Sequence, residues 1–447
     1  MGAEKDIIIA VELASTAIRA IAGKREPDGS MQVLAFAQEE SSNTIRKGII
    51  DNIDKTTLAL TRVVAKLSDK LGSRINSIYV GLGGQSLRSV HNRVLLQFDG
   101  LELLSHKTID KMHDTNSGVV YSNAEIKEVI PQEFTIGSRS VVDPVGMQAE
   151  MLEANFINII ARSTLEENIR RCVSGAGLEV QEVFISPLCL ANTLLTANEK
   201  RSGWALVDMG ADTTTVSVYS NNILRHLCVI PLGGSNVTSD ITNLKVEAEE
   251  AEELKKKYGT AFRPDKEDKT EKRITLSFDR TEKEDKLQEI VEARYEEIIA
   301  NVCQRISSYK EKMLSGIIVT GGAARIPDLT EAFGHACDLN VRIVKGMPEN
   351  VTVSHGVQIG DPDRLYTLYS LLLAGKENCV GELAKEHTQD TFDFGKEEEE
   401  VSVEPETQES QPEEQDVPKK KEPSSFSRLW KKIEVLFSDE SDGEENS

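Results

Sequence analysis

The stretch Leu206-Val207-Asp208-Met209-Gly210-Ala211-Asp212-Thr213-Thr214 places small residues, acids and threonines between two β-rich runs. Small residues in such a turn let backbone N–H groups converge on phosphate oxygens, and threonine hydroxyls add further donors. Asp208 stands at the end of the first run, where a carboxylate can hold Mg²⁺ through water because this cation keeps much of its hydration shell. A hairpin of this composition can bind a phosphorylated ligand together with magnesium, although Asp-x-Gly turns are also common in ordinary β-hairpins.

Two other segments also place small residues directly after a predicted strand. Val11-Glu12-Leu13-Ala14-Ser15-Thr16 lies between two predicted strands near the start of the chain. Ile317-Ile318-Val319-Thr320-Gly321-Gly322-Ala323-Ala324 runs from a buried strand into a glycine pair that precedes a predicted helix, and such a junction lets a flat adenosine approach the backbone. Each segment alone is typical of an ordinary turn. The three segments in this order and spacing are much more specific than any one of them.

Strand-like and helix-like patterns alternate along the chain. Ile7–Val11 and Ile18–Gly23 read as strands, and Thr56–Leu71 has apolar residues at helical spacing. Strand–turn–strand units recur from Trp204 onward, so the second half repeats the outline of the first. The pattern predicts an α/β fold with two duplicated lobes.

Several stretches depart from this alternation. Residues 85–158 are polar with short strand-like pieces, which predicts an inserted subdomain. Residues 260–286 are charged and weakly patterned, which predicts hairpins and loops, and Leu287–Leu314 follows as a long amphipathic helix. Residues 376–423 are rich in Glu, Gln and Pro and predict a disordered acidic linker.

A short apolar stripe follows the linker. Its apolar residues recur at i, i+3, i+4, i+7, i+10 and i+11, which is one face of a helix. The stripe consists of Phe426, Leu429, Trp430, Ile433, Leu436 and Phe437, and Lys431 and Lys432 lie on the remaining face. A helix docked on the core is the alternative, but the linker before it and the acidic end after it favour a helix in a membrane surface.

The composition limits the classes of partner. The 447 residues have a formal net charge of −22, and an acidic protein lacks the clustered Lys and Arg that a nucleic-acid surface needs. We therefore expect no nucleic-acid partner. The six cysteines are widely scattered, which fits a reducing cytosol and provides no metal cage. The apolar runs are too short for an export signal or a membrane span.

The three quoted segments resemble, in this order, the phosphate-1, phosphate-2 and adenosine motifs of the actin-like ATPases. Further stretches narrow the resemblance to the FtsA family of bacterial division proteins, and it covers nearly all of residues 6–375. These stretches are Lys47-Gly48-Ile49-Ile50, Val129-Ile130-Pro131-Gln132-Glu133-Phe134, Asp143-Pro144-Val145-Gly146, Val229-Ile230-Pro231-Leu232-Gly233-Gly234, Ser239-Asp240-Ile241 and Glu289–Ile299.

The resemblance implies an actin-like duplicated two-lobe fold with an FtsA-type inserted subdomain. It divides the chain into 6–84 (first part of subdomain 1A), 85–160 (inserted subdomain 1C), 161–202 (second part of 1A), 203–232 (first part of 2A), 233–302 (subdomain 2B), 303–375 (second part of 2A), 376–423 (linker), 424–438 (amphipathic membrane-targeting helix) and 439–447 (acidic tail).

The resemblance also implies ATP and Mg²⁺ as cofactors. The residues that it assigns to the nucleotide are Glu12, Ser15, Thr16, Asp208, Gly210, Asp212, Thr213, Thr214, Gly233, Gly234, Glu252, Lys255, Gly321, Gly322 and Ala323. Asp208 is the expected partner of magnesium through water. Glu252 and Lys255 resemble the pair that brackets the ribose, whereas their helical pattern alone indicates a solvated helix face.

The family's function would then be expected here. Such a protein polymerises at the cytoplasmic face of the cell membrane at the division site, contacts anionic lipids, tethers the tubulin-like protein FtsZ and recruits later division proteins. Arg294 is a candidate contact for the acidic C-terminal peptide of FtsZ, and a surface ion pair is its equally weighted alternative. An ATP-dependent enzyme or a pilus-assembly-type ATPase of the same fold is the alternative function.

Two departures from the actin-like pattern concern the chemistry. Asp212 stands in the second phosphate motif. A carboxylate that faces phosphate at ~4 Å could weaken nucleotide binding by about 4 kcal/mol at an effective dielectric of about 20. A carboxylate that turns outward or shares Mg²⁺ would weaken binding little. Ser186-Pro187-Leu188-Cys189-Leu190-Ala191 lacks the acid or amide that orients water in hydrolysing relatives. We therefore expect nucleotide binding with weak or no ATPase activity.

Overall fold

The computed structural model describes residues 6–41, 44–263, 272–277, 280–312 and 315–381. Residues 376–381, the start of the linker predicted at 376–423, lie within these ranges, and Val380–Gly381 pairs with Arg74–Ile75, so ordered structure extends past the predicted start of the linker. The rest of the predicted linker, the predicted helix at 424–438 and the predicted tail at 439–447 lie outside the ranges. The described strands are β1 Ile7–Leu13, β2 Ala17–Arg25, β3 Met31–Glu40, β4 Ile45–Arg46, β5 Ile49–Ile50, β6 Arg74–Ile75, β7 Ser77–Leu82, β8 Arg88–Leu103, β9 Glu125–Ile136, β10 Arg139–Val141, β11 Gln148–Ala161, β12 Glu179–Ile185, β13 Trp204–Met209, β14 Thr214–Ser220, β15 Ile223–Ile230, β16 Arg273–Leu276, β17 Arg280–Lys283, β18 Gly316–Thr320, β19 Val341–Ile343, β20 Val351–Val353 and β21 Val380–Gly381.

The helices connect and cover these strands. They are α1 Ile53–Leu71, α2 His106–Ser117, α3 Ser163–Gly175, α4 Ser186–Leu194, α5 Ala197–Ser202, α6 Gly234–Ile241, α7 Ala248–Tyr258, α8 Glu284–Ile306, α9 Leu329–Cys337 and α10 Tyr366–Ala374. Short 3₁₀ segments lie at Thr242–Leu244, Ser307–Lys312, Gly322–Arg325 and Pro362–Arg364.

The first lobe is built on a six-stranded sheet in the order β12-β7-β1-β2-β3-β20. The central strand β1 is buried from Ile8 to Val11, and a strand without polar alternation is typical of a sheet covered on both faces. Helices α1 and α10 pack against the sheet, so a helix from late in the chain completes the first lobe. The side chains of Leu368, Leu371 and Leu372 on α10 are fully buried there.

The second lobe uses strands β15-β14-β13-β18-β19 of a nine-stranded sheet. Helices α6 to α9 contribute to its hydrophobic core, and all five residues of β18 are buried. The predicted helix Leu287–Leu314 was wrong at both ends, because α8 begins at Glu284 and a 3₁₀ segment replaces it after Ile306. Charged residues in its first turn concealed the true start.

The inserted subdomain has longer strands than the sequence pattern predicted. Strands β8, β9 and β11 contain 16, 12 and 14 residues, and they form a small core of their own with α2. On β8, Val94, Leu96 and Phe98 alternate toward that core, while the other face is mixed: it carries polar residues and the exposed Leu95 and Leu101. Because many positions on the exposed face are polar, the long strands read as short pieces in the sequence.

The inserted subdomain joins the second lobe even though its chain connections belong to the first. Strand β8 pairs with β15 through Arg88 and Cys228, so one sheet runs from the insertion into the second lobe. The Arg225 guanidinium donates to Gln132 Oε1 at 3.2 Å and to Glu133 Oε1 at 3.0 Å. Gln132 Nε2 in turn donates to the Leu224 carbonyl oxygen at 3.1 Å. The Pro131-Gln132-Glu133 stretch is therefore a junction between the two units.

Cys303 and Cys337 form a disulfide with a Cα–Cα distance of 5.8 Å. They are 34 residues apart and meet because α8 packs against α9. The scattered spacing of the six cysteines gave no sign of this pair. Cys172, Cys189, Cys228 and Cys379 are not part of a disulfide.

Replacing Arg225 with Gln should destabilise the junction. The change removes a charged donor from Gln132, whose side chain is buried, and from Glu133. We expect the free energy of unfolding to fall by about 1–3 kcal/mol, measured by denaturant titration. Arg93→Gln is the matched control, because the Arg93–Glu153 pair is more exposed and should contribute less than about 1 kcal/mol. Equal losses for both variants would contradict the assignment of a junction.

Candidate nucleotide-binding site

A cavity of 1140 Å³ lies between the two lobes. The turn between β1 and β2 forms one wall, the turn between β13 and β14 faces it, and the segment after β18 lies beside them. These are the three segments that the sequence singled out. The parallel pairing of β13 with β18 sets Asp208 opposite Thr320, so two of the segments end side by side.

Most of the predicted nucleotide residues line this cavity. They are Glu12, Ser15, Thr16, Asp208, Gly210, Asp212, Thr213, Gly234, Glu252, Lys255, Gly321, Gly322 and Ala323. Thr214 and Gly233 are not among the lining residues. The Thr214 hydroxyl donates to the Leu232 carbonyl oxygen at 2.9 Å, and Gly233 packs so closely that a Cβ there would lie 2.5 Å from the Ala211 oxygen. Both residues therefore support the cavity wall from behind.

Glu12 is paired with a cation. The β1–β2 register sets Glu12 opposite Arg19, and the Arg19 guanidinium lies 3.0 Å from the Glu12 carboxylate. Sequence reasoning missed Arg19. The tight turn at residues 14–16 was the available signal, since two antiparallel strands around it must bring positions 12 and 19 together.

Asp208 is an acid of the site whose charged form is disfavoured by its surroundings. Burial raises the pKa of the Asp208 carboxyl to about 7, the negative Glu12 adds to the rise, and a hydrogen bond from Thr367 opposes it. Gly321 packs directly on this carboxyl, because a Cβ at Gly321 would lie 2.5 Å from Asp208 Oδ1. The φ of Gly321 is 96°, a conformation that favours glycine. A cation beside Asp208 would stabilise its charged form.

Glu252 and Lys255 do not form a solvated helix face. Lys255 Nζ donates to the Gly234 carbonyl oxygen at 3.0 Å and to Thr238 Oγ1 at 2.8 Å, and it lies 2.5 Å from the Glu252 carboxylate. Burial lowers the pKa of Lys255, and the contact with Glu252 opposes that effect. Helix α7 thus points a buried cation and its partner acid at the cavity.

Asp212 lines the cavity and its carboxylate is hydrogen-bonded to the first lobe. Its Oδ2 accepts a hydrogen bond from the Lys47 backbone N–H at 3.1 Å. Lys47 belongs to the first lobe and Asp212 to the second, so the contact crosses the mouth of the cavity.

Two arginines of the cavity escaped the sequence reasoning. Arg325 and Arg364 line the cavity, and both form an ion pair with Asp361. Burial lowers the pKa of Arg364, and the positive charges of Arg325 and Arg19 lower it further. An anionic ligand would relieve this repulsion.

Arg294 lies on α8 and is not among the cavity residues. Its guanidinium contacts both carboxylate oxygens of Asp240, at 2.6 and 3.1 Å, and also contacts Glu297. These acids hold the pKa of Arg294 above its usual range, with the hydrogen bond to Asp240 as the main cause. The ion pair that was weighed as the alternative is therefore present, while the contact with FtsZ stays a prediction.

Three further observations concern metal-binding clusters, the residues near a possible attacking water, and membrane-spanning helices. Within the described ranges, no group of three or more His, Cys, Asp or Glu side chains is arranged to hold a metal ion. Ser186 and Pro187 line the cavity and belong to the stretch 186–191, which contains no acid or amide side chain. None of the helices that the structure describes is long and apolar enough to cross a membrane.

The raised pKa of Asp208 predicts a pH-dependent stability of the ligand-free protein. Between about pH 4 and 7 the folded state binds this proton more readily than the unfolded state, so stability should fall as pH rises through that window. Asp208→Asn should remove the effect. We expect the variant to be more stable than the wild type at pH 8 by on the order of 1–4 kcal/mol, and by less at pH 5.

Denaturant unfolding at the two pH values measures this difference. Asp69→Asn, an exposed position on α1, controls for the loss of one negative charge. The same stability gain for Asp208→Asn at pH 5 and pH 8 would show that the Asp208 proton is not responsible.

Comparisons with known proteins agree with the fold. A family model described as "Cell division protein FtsA" matches residues 205–359, and one described as "SHS2 domain inserted in FTSA" matches residues 84–160. The chain is 32% identical over 330 residues to a cell division protein FtsA of Porphyromonas gingivalis, covering 72% of this chain and 68% of that protein. It is 28% identical over 353 residues to the FtsA of Pseudomonas aeruginosa, covering 77% and 84%.

A solved structure of a PilM-PilN type IV pilus biogenesis complex shares the fold. Its TM-score is 0.60 at 13% sequence identity, and the match covers 82% of this chain and 97% of that chain. At this identity the likeness concerns the fold alone. The predicted actin-like two-lobe architecture with an FtsA-type insertion is thereby confirmed. With its two lobes, its inserted SHS2 domain and a relative 32% identical over most of both chains, this protein belongs to the FtsA family of cell division proteins.

Proposed function

We propose that this protein binds ATP with Mg²⁺ in the cavity between its lobes and uses that binding in cell division. The observation that carries the proposal is the convergence of three separate turns on one cavity of 1140 Å³. A cavity of this size at the junction of two lobes is typical of a small-molecule site. The family's role in cell division supplies the biological context.

The two ends of the cavity suit the two ends of a nucleotide. The turns containing Ser15, Thr16 and Gly210–Thr213 offer backbone N–H groups and hydroxyls to phosphates. Gly322 leaves room for adenosine against the backbone, because a Cβ there would meet only Arg364 Cγ, at 3.9 Å.

The residues near Asp208 fit a hydrated magnesium ion. The Thr320 hydroxyl is buried in the cavity wall and has no hydrogen-bond partner among the described residues. It lies opposite Asp208 in the β13–β18 pairing, and a water molecule held by Mg²⁺ is a suitable partner for both groups. Bound magnesium would supply positive charge to the phosphates and to Asp208.

The proposed activity is binding with weak or no hydrolysis. Ser186 and Pro187 provide no carboxylate or amide to orient a water molecule toward a terminal phosphate. Glu12 is held by Arg19, which reduces its availability as a general base. The nucleotide would therefore act as a structural ligand that sets the state of the cleft.

Wild-type protein should bind ATP in a magnesium-dependent manner, and Asp208→Asn should lose at least about tenfold in affinity, equivalent to about 1.4 kcal/mol. Titration calorimetry with and without Mg²⁺ measures this, and phosphate release should stay close to the protein-free rate. Asp69→Asn is again the control. Failure of the wild type to bind millimolar ATP would contradict the proposed nucleotide binding. Rapid phosphate release would contradict the proposal that hydrolysis is weak or absent.

We further propose that the protein lies at the cytoplasmic face of the cell membrane, self-associates and tethers FtsZ filaments. The apolar stripe from Phe426 to Phe437, with Lys431 and Lys432, supports attachment to anionic lipid. The region 233–302 is the proposed FtsZ-binding surface, where a peptide carboxylate would have to exchange with Asp240 for Arg294.

Deletion of residues 424–438 should release the protein from membranes without changing its folded body. In sedimentation with vesicles containing anionic lipid, we expect the full chain to pellet and the truncated chain to remain in the supernatant. Replacing Trp430 and Phe437 by Ala tests the apolar face alone while keeping the charge. Equal pelleting of the full and truncated chains would contradict a membrane role for this segment.

A further inference from the structure

The Lys47–Gly48 turn is a rigid part of the cavity mouth. The β4–β5 hairpin closes through these two residues, whose φ angles of 50° and 71° are both positive. Gly48 packs on Gly84 so closely that a Cβ on Gly48 would lie 2.5 Å from the Gly84 Cα. The Gln85 N–H also donates to the Lys47 carbonyl oxygen at 3.0 Å. The turn is therefore fixed to the end of β7 in the first lobe.

The second lobe approaches this turn through its phosphate hairpin. Asp212 is on the hairpin between β13 and β14, and its Oδ2 accepts a hydrogen bond from the Lys47 N–H at 3.1 Å. The first residue of a two-residue hairpin turn does not use its N–H in the strand ladder, so this donor is available to another chain segment. Gly48 and Asp212 both line the cavity, which places the contact at its mouth.

We propose that Asp212 is a positioning residue that ties the second phosphate hairpin to the first lobe and holds the cavity closed around its nucleotide. This inference rests on the proposed nucleotide function. It also gives the Lys47-Gly48 stretch a role, since the left-handed backbone there directs an N–H toward the other lobe.

The alternative role of Asp212 predicts the opposite sign. An acid turned toward the phosphates would repel them, so its removal would strengthen binding and slow dissociation. An acid that bridges the lobes would slow nucleotide escape, so its removal would accelerate dissociation. One measured rate constant therefore separates the two roles.

The experiment uses the full chain with Asp212→Ala, Asp212→Asn and the control Asp69→Ala, an exposed acid of α1 outside the cavity. The first readout is the dissociation rate constant of magnesium-ATP, followed by displacement of a fluorescent ATP analogue. We expect Asp212→Ala to increase this rate about three- to tenfold, as for the loss of one hydrogen bond. Asp212→Asn keeps an acceptor oxygen and should lie between Asp212→Ala and the wild type, and Asp69→Ala should match the wild type.

The second readout is hydrogen exchange of the Lys47 amide in nucleotide-free protein. Faster exchange in Asp212→Ala than in the wild type would support the contact, and unchanged exchange would overturn it. Slower nucleotide dissociation in Asp212→Ala would also overturn it, in favour of repulsion. If the wild type failed to bind ATP, the proposed function would fail, and exchange at Lys47 would still decide whether Asp212 joins the lobes.

Discussion

The enclosure of the Asp208 carboxyl by both lobes is the constraint on which the arrangement of the site depends. Asp208 ends a strand of the second lobe, Gly321 covers it from the neighbouring strand, and Thr367 contacts it from a helix that packs on the first lobe. Glu12 approaches from the first lobe and adds negative charge. Closing the lobes therefore concentrates negative charge, and the same closure creates a site that a cation would stabilise.

The inserted subdomain adds a second connection between the lobes. Its chain enters from β7 and leaves into α3, both in the first lobe, but its sheet continues into β15 of the second. Arg225 and Gln132 secure that junction with charged and buried hydrogen bonds. A change in the angle between the lobes must deform this sheet or move the insertion. The insertion is thus mechanically linked to the state of the cavity.

The sequence predicted the lobes and the turns better than the contacts between them. Buried strands such as β1 and β18 carry strong local signals, because uninterrupted apolar runs beside small-residue turns have few other interpretations. The length of strand β8 was underestimated because many residues on its exposed face are polar. The pairing of Cys303 with Cys337, the arginines around Asp361 and the orientation of Asp212 depend on how distant segments pack, and no local pattern encodes that.

The charges around the cavity explain why an extra acid in the phosphate hairpin is tolerated. Glu12 is paired with Arg19, Glu252 with Lys255, and Asp361 with Arg325 and Arg364. Asp212 is satisfied by a backbone N–H, which leaves every cationic side chain to the other acids or to a ligand. Asp208 is the acid among these whose pKa is raised to about 7. The cavity thus balances its permanent charges internally and leaves one carboxyl whose charge would be favoured when a metal ion arrives with an anionic ligand.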